Sequence, residues 1–279
     1  MVRVGVHVSI AGSIESAVDR AKAKGCDVFQ MFSRNPRGWA FRPLSSGDTG
    51  GFAAKITATG LLPVDHMPYL PNLASPKEEI YKQSVSALTA ELGRCKDLGI
   101  PYCVTHLGHH LGDGIAAGRK RVIAAINTAL FASDNDVLLL LENTAGEKNS
   151  VGSTFEHIRS IIDGLSDKSR VGMCFDTCHA FAAGYELRTA EGIKDTMQQL
   201  NEVIGVEQIQ CVHLNDSKGE RGSGLDRHEH IGMGFIGEEG FLRILHHPVF
   251  RDLPLICETP VDTRRDDEGN IRKVRTLAR

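Results

Sequence analysis

The sequence predicts a single (β/α)8 barrel of the TIM type, on three observations: eight short apolar runs, their spacing, and helical segments between them. The runs begin at Val2 (VRVGVHV), Asp27 (DVFQMFS), Leu62 (LPVDHM), Tyr102 (YCVTHLG), Val137 (VLLLLEN), Arg170 (RVGMCFD), Ile209 (IQCVHLN) and Leu253 (LPLICET). Their starts lie 25 to 44 residues apart, room for one strand and one return helix. Near-continuous apolar strands are buried on both faces, as in a parallel sheet wrapped by helices.

The intervening segments carry helix signals. Ser75-Pro76-Lys77-Glu78 sets an N-cap, a first-turn proline and a capping-box acid in order. Ile80, Tyr81, Val85, Leu88, Leu92, Cys95 and Leu98 then form a 3.6-residue stripe that stops at Gly99 and Pro101. Ser153 and Glu156 read as a second capping box before Phe155, Ile158, Ile161, Ile162 and Leu165. Ile115, Val122, Ile123, Ile126 and Leu130 make a third stripe. No linker or low-complexity segment interrupts residues 1–279, so one domain is expected, with a doubly wound open sheet as the alternative.

Composition is that of a globular protein with a sizeable core: 41% hydrophobic and 24% charged over 279 residues. No apolar stretch is long enough for a membrane helix, and the start, MVRVGVHVSIAGS, reads as a first strand and not a signal peptide. A cytoplasmic protein is expected. Seven cysteines, without a CxxC pair, include Cys103, Cys174, Cys211 and Cys257 inside apolar runs, where a thiol behaves as a small hydrophobe. The formal charge of −3 does not advertise a nucleic-acid binder. Gly232-Met-Gly234-Phe-Ile-Gly237 fits a dinucleotide fingerprint, but no apolar strand precedes it, and KGERGSG lacks the Lys-Ser/Thr of a phosphate loop. No nucleotide cofactor is expected.

In such barrels the strand ends carry the chemistry, because their loops converge on one mouth. Here they end in metal-ligand residue types: His66, His106, Glu142, Asp176 with His179 just after, His213 with Asp226 and His228 in the next loop, and Glu258. Four carboxylates facing one mouth without compensating Lys or Arg repel one another, and cations between them remove that repulsion. Five histidines and four carboxylates exceed the needs of one ion and fit three zinc ions at about three protein ligands each, leaving open positions for catalysis. Of the other histidines, His157, His246 and His247 are expected on helix surfaces, in solvent. His109, His110 and His230 are expected in mouth loops, and His7 closes the first strand and faces the pocket.

At these residues the sequence resembles the endonuclease IV family of apurinic/apyrimidinic (AP) endonucleases. GMCFDTCH at 172–179 is similar to the family's G-x-C-x-D-T-C-H signature. VHLNDSK at 212–218, continuing through Gly222-Ser223 to Asp226-Arg-His228, resembles its longest signature. HMPYLPNL at 66–73 resembles a third, with Pro68 where the family usually has serine. GVHVS, ENTAG and DTCHAFAAGY extend the likeness over nearly the whole chain. The resemblance implies that His66, His106 and Glu142 hold a first zinc, with Glu142 bridging to a second held by Asp176, His213 and Glu258. His179, Asp226 and His228 would hold the third.

The implied activity is cleavage of duplex DNA on the 5′ side of an abasic site, leaving a 3′-hydroxyl and a 5′-deoxyribose phosphate, with removal of 3′-blocking groups besides. A water held between two zinc ions would attack phosphorus, and the third ion would stabilise the leaving oxygen. The abasic nucleotide leaves the helix at little energetic cost, since no base pair is lost. Arg37, Tyr69 and Leu70 match the family residues that push into the minor groove at the lesion. Three zinc ions would bring the formal charge to about +3, concentrated at the mouth. The chain is expected to be a monomer, associated with the nucleoid through its DNA. A metal-dependent sugar isomerase or epimerase on a similar barrel is the rival, since Glu142, Asp176, His213 and Glu258 alone would resemble its single divalent site. A non-catalytic zinc or DNA-scaffold protein is the alternative from another class.

Overall fold

The computed structural model describes residues 2–279. Each of the eight apolar runs forms a strand: β1 (Arg3–Val6), β2 (Val28–Met31), β3 (Leu62–His66), β4 (Tyr102–Thr105), β5 (Leu138–Glu142), β6 (Val171–Asp176) and β7 (Ile209–His213). After a small hairpin, β8 (Asp216–Ser217) with β9 (His228–Glu229), comes the last barrel strand, β10 (Pro254–Cys257). The helices are α1 (Ser16–Ala23), α2 (Ser46–Thr59), α3 (Glu78–Leu98), α4 (Ile115–Ser133), α5 (Phe155–Asp163), α6 (Thr177–Ala183), α7 (Ala190–Val203), α8 (Gly237–His246) and α9 (Asp267–Leu277). The strands pair in parallel in the order β1-β10-β7-β6-β5-β4-β3-β2. Asp27 N–H to Val4 O (2.9 Å) and Val8 N–H to Gln30 O (2.8 Å) close β1 against β2. That seam needs Gly5: a Cβ there would lie 1.6 Å from Val28 O.

Two apolar layers result. Val28, Val64, Val104, Leu140, Cys174, Cys211 and Ile256, one from each barrel strand except β1, fill the barrel interior. The larger core lies between the strands and the surrounding helices, with Phe52, Phe155, Phe175, Phe181 and Phe241 fully buried in it. All seven cysteines are free and buried, as the apolar runs led us to expect. Among the described residues no helix is long and apolar enough to cross a membrane.

Two caps differ from the sequence reading. The Ser75 hydroxyl accepts from Lys77 N–H (3.1 Å), so it closes a turn ahead of the helix, and α3 starts at Glu78 without a side-chain cap. On α5 the cap is Thr154, whose hydroxyl accepts from His157 N–H (3.2 Å), one residue after the expected Ser153. His157 is also not a solvated side chain. It is half-buried, its Nδ1 has no hydrogen-bond partner, and burial lowers its pKa.

Candidate metal centre

Strand alternation builds the centre. Side chains two residues apart on a strand share a face, so the residue two beyond each interior apolar position points into the barrel at its C-terminal end. Val64, Val104, Leu140, Cys174, Cys211 and Ile256 are followed at that offset by His66, His106, Glu142, Asp176, His213 and Glu258. Asp65, between two interior positions, faces the helix layer, where its carboxylate accepts from Ser33 N–H (2.8 Å) and the Cys95 thiol (3.5 Å). Asp65 and His66, adjacent in sequence, are thus sent to opposite sides of β3.

The nine expected ligands gather into three groups, within each of which the candidate ligand atoms lie within 4.8 Å of one another: His66, His106 and Glu142; Glu142, Asp176, His213 and Glu258; His179, Asp226 and His228. Glu142 is completely buried and belongs to two of them. Its Oε2 faces His106 Nε2 (2.8 Å) and His66 Nε2 (3.3 Å), while Oε1 faces His213 Nδ1 (2.9 Å). Glu258 Oε2 approaches the same His213 Nδ1 (3.2 Å). In the third group Asp226 Oδ1 lies 3.1 Å from His179 Nε2 and 3.6 Å from His228 Nε2.

The third group depends on loops. Asp176 caps α6 by accepting from His179 N–H (2.7 Å), which sets His179 on the first turn beside its own strand end. His228 arrives on β9, paired with Ser217. The hairpin is braced by Asp216, whose carboxylate accepts from the backbone N–H groups of Gly232 (3.0 Å), Gly234 (2.9 Å), Ile236 (3.0 Å) and Gly237 (3.3 Å). The G-x-G-x-x-G stretch therefore does cradle an anion, but that anion is the protein's own carboxylate.

Orientation is fixed from behind. Backbone carbonyls of Met67, Asn143 and Glu258 accept from Nδ1 of His66 (2.7 Å), His179 (2.9 Å) and His228 (3.1 Å), leaving each Nε2 lone pair facing inward. Sequence reasoning missed three buried amides. Asn143 bonds both ways with the Asp176 backbone (2.8 and 3.0 Å). Asn215 donates to Asp176 Oδ2 (2.8 Å) and accepts from Glu258 N–H (2.7 Å). Gln30 touches His213, Glu258 and His7. The period-two offset that marks the candidate ligands also marks Gln30, two residues beyond Val28, and could have found it.

The charges are strongly coupled. Burial pushes the Glu142 carboxyl up, but the imidazoles of His106 and His213 outweigh it and hold it well below the usual range. Burial pushes His213 down, yet Glu258 and Glu142 raise it to about 10, and in the same way Asp176 and Asp226 raise His179. Without a metal, the carboxylates are compensated by protons on imidazole, and a divalent cation can take the place of those protons. His179 Nε2 and His228 Nε2 are buried without a hydrogen-bond partner, so the nitrogen and carboxylate donors here fit a bound metal ion. Cys178 also lies beside Asp176 and His228, but burial pushes its thiol up to about 12, which makes it a poor ligand.

A cavity of about 230 Å³ opens over the groups, lined by His66, Tyr69, His106, His179, Asp226, His228 and Glu258. Tyr69 is 62% and Leu70 39% exposed at its rim, and Arg37 is exposed on a neighbouring loop tied to it by Tyr69 N–H to Pro36 O (3.3 Å). His7 lies behind Glu258, its Nδ1 3.9 Å from Oε1, and is not among the residues that line the cavity; burial lowers its pKa to about 4. His109 and His110 shape the loop after β4, and His230 is buried between Asp262 (3.1 Å) and Asn270 (3.0 Å).

Comparison with known proteins agrees with this site. Residues 18–278 match the family model described as a xylose isomerase-like TIM barrel. The chain is 63% identical to a probable endonuclease 4 of Methanoculleus marisnigri, over 100% of this chain and 99% of that protein. It is 59% identical to a probable endonuclease 4 of Methanosphaerula palustris, again over 100% and 99% of the two chains. The crystal structure of endonuclease IV from Thermus thermophilus superposes with a TM-score of 0.88 at 37% identity, covering 99% of this chain and 98% of the other. With a full-length match to these proteins and a barrel mouth of histidines and carboxylates, the chain belongs to the endonuclease IV family of AP endonucleases, hydrolases built on this barrel.

Proposed function

We propose that the protein cuts duplex DNA on the 5′ side of abasic sites with three zinc ions, leaving a 3′-hydroxyl and a 5′-deoxyribose phosphate, and also removes 3′-blocking groups. The observation that carries the reading is Glu142, fully buried, with one carboxylate oxygen toward His66 and His106 and the other toward His213. A bridging carboxylate suits two ions side by side, which a single-metal isomerase site does not need. Bound there, zinc supplies positive charge against the phosphate and brings the pKa of water towards neutrality. His66, His106 and Glu142 would hold one ion, with Asp176, His213 and Glu258 completing the next and His179, Asp226 and His228 the third. Arg37, Tyr69 and Leu70 would occupy the gap that the displaced nucleotide leaves in the duplex. The chain would act as a monomer and a single domain in the cytoplasm, associated with the nucleoid.

The test is a labelled duplex with one abasic site, incubated with purified protein and no added magnesium. Incision 5′ to the site, abolished by a chelator and restored by zinc, supports the reading. An intact duplex together with one metal per chain and turnover of a free sugar would establish the isomerase alternative.

A further inference from the structure

We infer that Gln30 is a positioning residue, whose side-chain amide decides which atoms of His213 and Glu258 are left free to hold a metal ion. The inference rests on the proposed metal reading and extends it to a residue outside the ligand set. Gln30 is fully buried on β2, at the position where the other strands present ligands. Each hydrogen-bonding group of its amide is engaged: Nε2 donates to Glu258 Oε1 (2.7 Å) and to His7 Nδ1 (3.1 Å), and Oε1 accepts from His213 Nε2 (2.8 Å).

The orientation of the amide follows from its partners. An ionised Glu258 can only accept, so the NH2 group must face it, and the carbonyl is left to face His213. The carbonyl in turn requires a proton on His213 Nε2. The metal-binding lone pair then sits on Nδ1, the atom that faces Glu142 Oε1 (2.9 Å) and Glu258 Oε2 (3.2 Å). Glu258 is constrained by the same amide, which occupies Oε1 and leaves Oε2 towards the centre. His66, His179 and His228 lean on backbone carbonyls and expose Nε2. His213 leans on a side chain and exposes Nδ1. The Gln30 backbone lies in the seam that closes the barrel, paired with His7, so the amide has a fixed base.

The test uses Gln30→Met, which keeps the volume and removes all three hydrogen bonds. Zinc-loaded wild type and variant are dialysed against graded chelator, with zinc per chain and circular dichroism followed together. Retention of one ion should weaken by about 10- to 100-fold, the range for losing a group that orients a ligand. The other ions and the spectrum should stay as in wild type. Equal retention in both proteins overturns the inference, and so does loss of every ion together with the fold. A second measurement needs no variant. In 15N NMR of histidine-labelled, zinc-loaded wild type, one coordinated ring should be bound through Nδ1 and the rest through Nε2; rings all bound through Nε2 overturn it. The wild-type zinc count tests the three-ion reading, whereas the variant-to-wild-type ratio tests Gln30 whatever that count is.

Discussion

The group of Glu142, Asp176, His213 and Glu258 and the group of His179, Asp226 and His228 use the same kinds of side chain on different foundations. The first stands entirely at strand ends, in a register set by the barrel, and its Glu142, Asp176 and His213 are fully buried. The second borrows Asp226 from an irregular loop and His228 from a two-residue strand, and the Asp226 side chain is 35% exposed. Strand hydrogen bonds and the amides of Gln30, Asn143 and Asn215 fix the first group before any ligand arrives. The second relies on a hairpin braced by one carboxylate, Asp216. Preorganisation is therefore uneven across the mouth, and metal affinity and exchange should be uneven with it.

The largest effect is expected from Glu142→Gln, which replaces the carboxylate shared by two groups with a neutral amide. Turnover should fall by orders of magnitude, with zinc per chain falling as well; steady-state incision rates and elemental analysis of the same preparation check it. Asp226→Asn probes the weaker foundation. It should release about one zinc per chain while the other two remain, and lower incision by about 100-fold. Simultaneous loss of all the metal would mean that the groups are not independent.

Chelator titration of the unmodified protein sharpens the contrast. Zinc should leave in at least two steps, the loop-held ion first, and a single cooperative step would contradict the unequal foundations. Arg37→Ala and Tyr69→Ala act at the rim and should spare the metal. Incision of duplex should drop by about 10-fold or more, since extrusion becomes harder by a few kcal/mol at most, with a smaller defect on single-stranded abasic substrate. Equal impairment on both substrates would place these side chains in the pocket wall. The smallest effect is expected from His157→Ala, which lies on α5 and outside the residues that line the cavity, where incision should stay within about two-fold of wild type. Its half-buried ring makes a loss of melting temperature the readout that moves.

What could be read in advance follows the same division. All eight strands were legible because a barrel strand is apolar on both faces and stands out by composition, as in VLLLLEN. Helix starts were less so: Ser75 and Ser153 satisfy the same local pattern as true caps, and the choice between Ser153 and Thr154 depends on the angle at which the chain enters the helix. The short hairpin was not legible, since strands of two residues have no periodicity to detect.

By itself the sequence determined the fold class, through eight buried runs at strand-plus-helix spacing, and the identity of the residues that gather at the mouth, through their place at strand ends and their motifs. Only the tertiary structure decided which oxygen of Glu142 faces which group, which nitrogen of each imidazole is turned inward, and that Gln30 joins His213 and Glu258 from a strand far away in the chain. The physical reason is that strand periodicity is local and assigns a side chain to a face, whereas the partner behind that side chain comes from another strand. Gln30 and Glu258 lie 228 residues apart in sequence and 2.7 Å apart in space. Such a pairing exists only once the barrel has closed.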